Sequence, residues 1–426
     1  MARKSRAIRK ERGVSRRSVL KASAVAVIPG LGGLGKVVRR QGPRVVVVGA
    51  GAFGGWTALH LLRRGAQVTL IDTWGPGNSR ASSGGETRVI RGTYGPDRIY
   101  VEMVARSLTL WRENERLWNR PLYRPNGVLW MAGENDAYEK ASLPILRDVG
   151  LRFEVFDAAE AKRRFPQIHF EGVRWAIQEE DAGYLLARWA CAVVLEGFLA
   201  EGGEYRQSVA KPEPDEDGKL RRVLLADGAS ISGDQFVFAC GPWLGRLFPD
   251  VLGDRIHTTR QEVFFFGTPA SDHRFSSDNL PVWIDNGESV FYGIPGNESR
   301  GFKIADDSRG PLFDPTDGER TYSPAALAKA RDHMEFRFPG LKGAPLLEAR
   351  VCQYENSPDL HFILDRHPRL ENVWLVGGGS GHGFKHGPAV GEHVAELVLE
   401  RRPPDPFFSL SRFEESKERA HPSPAL

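Results

Sequence analysis

Residues 44–72, RVVVVGAGAFGGWTALHLLRRGAQVTLID, constrain the fold more than any other stretch of the chain. VVVV is an apolar run of strand length, as expected of a parallel strand buried on both faces. Gly49, Gly51 and Gly54 follow as G-x-G-x-x-G, and WTALHLLRRG carries a helical pattern that Gly65 stops. QVTLI reads as a second parallel strand ending at Asp72. The spacing has a chemical reason. Two glycines let the backbone approach a pyrophosphate at a helix N-terminus, and the third lets helix and strand pack closely. An acid about 20 residues further on can hydrogen-bond a ribose hydroxyl. A glycine-rich turn alone would not require strand, glycines, helix, second strand and acid in that order. The stretch predicts a dinucleotide site, and by itself it does not separate NAD from FAD.

At 426 residues the chain can hold more than one domain. Its net charge of +4 is unevenly spread: residues 1–40 carry twelve of the 58 Lys/Arg and one of the 54 Asp/Glu. The remainder is mildly acidic, which gives a nucleic-acid reading no basic surface to rest on. Within the basic leader, SRRSVLK (Ser15–Lys21) precedes the apolar ASAVAVIPGLGGLG, resembling a twin-arginine export signal with Val19 where an aromatic is more usual. The resemblance implies the export machinery as a partner and a periplasmic location. The apolar run is too short for a confident membrane span, and the alternative is a disordered basic arm. No A-x-A-like cleavage site is obvious, which leaves a retained membrane tether open.

Three cysteines rule out a disulfide framework. Cys191 in RWACAVV and Cys240 in FVFACG sit in apolar runs where a thiol serves as a small core side chain. Cys352, in EARVCQYENSPDLHFILD, lies in a polar, Pro-containing stretch instead.

Four segments resemble one family. GGETRVIRGTYG (Gly84–Gly95) is similar to the segment after the second strand in FAD-dependent amine oxidases of the monomeric sarcosine oxidase and N-methyltryptophan oxidase type. Cys352 stands in a closely similar C-x-Y…PD-x-HFI-D context. NVWLVGGGSGHGFKHGPAVGE (Asn372–Glu392) matches a buried strand running into a glycine-rich turn, with Gly381, beside the flavin. SVFYGIPGNESRGFKIADD matches a tyrosine on a strand paired with a lysine eleven residues later, here Tyr292 and Lys303. The resemblance spans roughly residues 44–400 in consistent order.

The resemblance implies FAD, with Gly49, Gly51, Gly54, Asp72, Arg88, Gly381 and Lys385 contacting it and Cys352 forming a thioether to the 8α-methyl of the ring. It implies Arg91 and Lys385 as anchors of a substrate carboxylate, Tyr292 lining the cavity, and Lys303 near the flavin face assisting dioxygen. No metal ligand is assigned. Two departures bear on the substrate. Gly84 and Asp307 stand where sarcosine oxidases have histidines around the cavity, implying a substrate other than sarcosine. Asp307 either faces the cavity, where it would recognise a second amine or cation, or points into solvent.

The implied fold is α/β: a discontinuous Rossmann-type FAD-binding domain from residues 42–100, 180–248 and 348–402, and a substrate domain from 101–179 and 249–347 with a mainly antiparallel sheet. Residues 1–40 form the leader and 403–426 a Pro-punctuated tail. Helical spacing runs through DAGYLLARWACAVVLEGFLAEGG, with Asp181 as its N-cap or start signal, and KPEPDEDGKLR reads as a polar loop. QEVFFFG, LPVWIDN and SVFYGIP read as strands, and Gly241 as a backbone turn near the cofactor. The implied activity is oxidation of a secondary amine or amino acid with release of hydrogen peroxide. The alternatives are a dehydrogenase passing electrons to a quinone or carrier protein, or a low-turnover flavin-carrying binding protein. An NAD-dependent dehydrogenase would leave the matches at Cys352 and Lys385 unexplained.

Overall fold

The computed structural model describes residues 41–214, 217–287 and 289–414. The leader with Arg16 and Arg17, and the end of the tail from residue 415, lie outside the described residues. No helix among the described residues is long and apolar enough to cross a membrane.

The strand Arg44–Val48 lies inside a six-stranded sheet. The order is 363–366, 373–377, 235–238, 44–48, 67–72, 204–207, and every pairing is parallel except that between 363–366 and 373–377. Val45 and Val47 join an apolar cluster with the helix Ala52–Arg63 on one face, while Val46 and Val48 join a second cluster on the other. A strand buried on both sides must be apolar throughout, and each such side chain stabilises the fold by about 1.5–3 kcal/mol. The helix ends where expected, with Gly65 at φ +95° two residues beyond Arg63.

The second large sheet has eight strands in the order 346–356, 257–266, 302–306, 290–294, 282–286, 128–132, 175–179, 153–157. Only 282–286 and 128–132 run parallel. The helix Pro324–Arg337 covers one face through Ala330, Met334 and the aromatic cluster of Phe264, Phe275, Trp283, Phe302 and Phe338.

Several local expectations need correction. Asp181 does not cap a helix: it accepts hydrogen bonds from Arg152 in a turn, and the helix begins at Ala187 after a short strand, Gly183–Leu185. KPEPDEDGKLR is not a plain loop, because residues 210–214 and 220–225 pair as antiparallel strands. The first part of the tail is anchored, with Phe408 and Leu410 buried and Leu364 N donating to Phe408 O at 3.1 Å. Cys191 is buried, and burial pushes its thiol up to about 12. Cys240 is half-buried at the cleft described next, so it is no simple core thiol.

Candidate active site

A cleft of about 420 Å³ opens at the carboxyl ends of the parallel strands, the place where this topology puts ligands. It is lined by Gly49, Gly51 and Asp72 from the first two strands and the turn between them, and by Arg88, Tyr354 and Gly381. Gly49 has φ +107°, and a Cβ there would collide with the Ala239 carbonyl. A Cβ on Gly54 would overlap the Gly49 carbonyl oxygen. These positions admit glycine alone, which leaves bare backbone facing the cleft. Asp72 accepts hydrogen bonds from Ala50 N at 2.8 Å, Trp74 N at 2.9 Å and Gly75 N at 2.8 Å, so the acid braces the glycine turn. Burial nevertheless holds its carboxyl above the usual range, against those three donors. Gly241, at φ +53°, lines the cleft as a turn.

Beside Arg88 and Ser82, Cys352 lies on the strand Leu346–Asn356, paired with Gln261. The Arg88 guanidinium donates to Ser82 O at 2.6 Å and stands 3.4 Å from Cys352 Sγ. Lys303 is 1% exposed, and its Nζ donates to Thr87 O at 2.9 Å, so it sits against the residue preceding Arg88. Burial, with the Arg88 charge adding to it, pushes this ammonium down to about 7. Tyr292 is on the neighbouring strand, its ring centroid 5.8 Å from Lys303 Nζ, and burial pushes its phenol up to about 12.

Lys385 and Arg91 meet at a residue the motifs did not single out. Lys385 Nζ donates to Tyr94 Oη at 2.7 Å and to His382 O at 2.8 Å. The Arg91 guanidinium lies 4.5 Å over the Tyr94 ring and 4.8 Å over the Trp130 ring. Tyr94 Oη also reaches His386 Nε2 at 2.8 Å and His382 Nδ1 at 3.2 Å. Burial and the Arg91 charge push the Lys385 ammonium well down. Glu179 fixes the turn between them, accepting from the backbone of Gly92 and from Thr93 Oγ1 at 2.7 Å.

Asp307 is half-buried, and its Oδ1 accepts a 2.8 Å hydrogen bond from Tyr354 Oη. It lies close enough to Arg91 and Lys385 for both to act on its charge, and burial still holds its carboxyl above the usual range. It is therefore held against Tyr354, near the Arg91 and Lys385 cluster, rather than left in bulk solvent. The other departure, Gly84, is a packing requirement: a Cβ there would run into the Asn78 carbonyl.

A parallel sheet with a glycine turn at its carboxyl edge, an acid ending its second strand, and a cleft roofed by an antiparallel sheet define a dinucleotide-dependent oxidoreductase. Residues 44–397 match the model of the DAO family, described as FAD dependent oxidoreductase. The chain belongs to that family, and the glycine cradle, with bare backbone facing the cleft beside Asp72, fits FAD. It is 34% identical to a monomeric sarcosine oxidase of Streptomyces avermitilis over 83% of this chain and 93% of that one. Identity with an N-methyl-L-tryptophan oxidase of Salmonella agona is 28%, over 87% of this chain and 98% of that one. In fold it resembles an L-proline dehydrogenase from P. horikoshii, with a TM-score of 0.77 at 21% identity over 88% and 98% of the two chains.

Tyr94, Tyr354 and Glu179 escaped the motif reading. Tyr94 stands inside a quoted segment, but its role arises from contact with Lys385, 291 residues away. Nothing local signals that.

Proposed function

We propose that this flavoenzyme oxidises the C–N bond of a secondary amine that carries a carboxylate, and passes the electrons to dioxygen with release of hydrogen peroxide. The observation that carries the reading is the convergence of Arg91 and Lys385 on Tyr94. Arg91 and Lys385 bond to Thr93 O, Tyr94 Oη and His382 O and form no ion pair among the described residues, so both can receive a substrate carboxylate. Bound FAD would supply the hydride acceptor. Its holding residues would be the glycine turn, Asp72, Arg88 and the Gly381 turn. Arg91 and Lys385 orient the substrate by its carboxylate, and a carboxylate arriving there returns Lys385 to its charged form. Tyr292 and Tyr354 wall the cavity against water. Asp307 offers a negative partner to a cationic group of the substrate, supporting a basic or bulkier amino acid over sarcosine.

Two further parts belong to the reading. Cys352 holds the cofactor by a thioether to its 8α-methyl carbon, supported by the thiol's place beside Arg88 and Ser82, both of which line the cleft. The leader directs export by the twin-arginine route.

The test is bleaching of the oxidised flavin spectrum under anaerobic conditions by N-methyl, cyclic and primary amino acids. At least one N-alkyl amino acid bleaches it, and those with an added positive charge do so at lower concentration than sarcosine. Arg91→Ala and Lys385→Ala still hold flavin and lose about 1.5–3 kcal/mol of carboxylate binding per charge-assisted bond. Unchanged affinity for every carboxylate ligand in both variants would remove the clamp.

A further inference from the structure

Glu355 has no part in the chemistry above, yet its setting is unusual. It follows Tyr354 on the strand Leu346–Asn356, is 7% exposed and lines the cleft. Oε1 accepts a hydrogen bond from Gly379 N at 3.2 Å. Oε2 is buried and has no hydrogen-bond partner among the described residues. A carboxylate removed from water needs its remaining lone pairs satisfied. No Lys or Arg among the described residues forms an ion pair with it, and Cys240 is the titratable neighbour that feels its charge. Burial pushes its carboxyl up to about 7.

The surroundings show what the missing partner is. Gly241 and Gly379, on turns following the strands 235–238 and 373–377, flank the carboxyl. A Cβ on Gly241 would stand 3.1 Å from Oε2, and one on Gly379 would stand 3.1 Å from Oε1. Both turns thus leave open the space that side chains would fill. Glu355 also stands beside Gly241, two residues after the Ala239 that packs against Gly49, and it follows Tyr354, which packs against Gly381, so it joins the glycine turn to the other lining residues of the cleft. The part of FAD that links its phosphates to its ring is the ribityl chain, which carries hydroxyl groups. A hydroxyl donates a hydrogen bond, whereas a phosphate is an anionic acceptor that would repel a carboxylate.

We propose that Glu355 is a cofactor-positioning residue, whose Oε2 accepts a hydrogen bond from a ribityl hydroxyl of FAD. It rests on the family's FAD and is independent of the substrate reading. Binding then favours the charged carboxylate, so FAD affinity rises with pH through the neutral range.

The experiment uses full-length Cys352→Ser protein loaded with FAD, which makes the cofactor exchangeable, and the same protein carrying Glu355→Gln. Samples are diluted at pH 6 to 8, and release is followed by recovery of free-flavin fluorescence. If the unmodified protein sheds its flavin in acid, the covalent link is absent and the comparison is made with Cys352 in place. The parent is expected to hold FAD more tightly as pH rises. Glu355→Gln is expected to release it about tenfold more readily at pH 8, with little pH dependence and an unchanged thermal midpoint of the FAD-free fold. Equal retention and an equal pH profile in the two proteins would overturn the proposal. So would tighter retention by Glu355→Gln together with parental affinity that falls as pH rises, since that sign belongs to a carboxyl facing phosphate.

Discussion

Lys303 is an ammonium held where ammonium groups are costly, buried behind Thr87 and beside the Arg88 charge. Because its folded value is depressed to about 7, the positive charge is present below that pH and lost as pH rises through it. A fixed cation there would stabilise developing superoxide. Lys303→Met should therefore slow flavin reoxidation by dioxygen about 10²–10³-fold, while leaving anaerobic reduction by substrate close to normal. The unmodified protein should reoxidise more slowly as pH rises through 7, and the variant should show no such trend. Stopped-flow mixing of reduced enzyme with oxygenated buffer reads both, and peroxide yield with and without an artificial acceptor distinguishes an oxidase from a dehydrogenase. Lys303 was legible because it stands eleven residues after Tyr292 in a motif. The orientation of Asp307 was not, since it depends on Tyr354, 47 residues away. Gly84 reads as a lost histidine until the Asn78 carbonyl is seen to occupy the space a side chain would need.

Elements were legible where apolar pattern and burial agree. The runs QEVFFFG, LPVWIDN and SVFYGIP are the strands 257–266, 282–286 and 290–294. The eleven-residue strand Leu346–Asn356 was hidden by its polar side chains, because their partners are distant. Gln353 Oε1 accepts from Arg320 at 2.9 Å, and Asn356 Nδ2 donates to Thr259 Oγ1 at 2.9 Å. A strand that ends its sheet and satisfies polar groups through tertiary contacts shows no clean alternation. The helix Pro324–Arg337 is tied to the eight-stranded sheet by a comparable device. Arg337 donates to Asp285 Oδ2 from Nε at 2.8 Å, with Nη2 2.7 Å from the same oxygen, and Nη1 donates to His169 O at 2.6 Å. Arg337 is 5% exposed and Asp285 3%. Arg337→Met leaves a buried carboxylate with only His333 paired to it among the described residues, at 3.0 Å. Urea denaturation should show a loss of about 3–5 kcal/mol. Asp285→Asn combined with Arg337→Met should cost less than the two single changes added together.

At the scale of the whole molecule, the proposed tether and the proposed export would support one another. A cofactor bonded to Cys352 would not be lost beyond the cytoplasm, where no pool would replace it. Acid-precipitated protein should stay yellow, and its intact mass should exceed the chain by one FAD. Cys352→Ser should release its flavin under the same treatment, while Cys191→Ser and Cys240→Ser keep it. Replacing Arg16 and Arg17 with Lys should hold folded, flavin-loaded protein in the cytoplasm, measured by fractionation; undiminished export would leave the leader a plain basic arm. The sheet beneath the cofactor sets the timing of all this. Its strand 44–48 lies against 235–238, which in turn lies against 373–377. The strand 235–238 is thus flanked by the first strand of the sheet to leave the ribosome and the last. Completing that part of the sheet waits for the end of the chain, and such long-range pairing is slow to form. Val376, Gly379 and Gly381, which line the cleft, are made equally late, so the cofactor site is complete only after this segment has been synthesised.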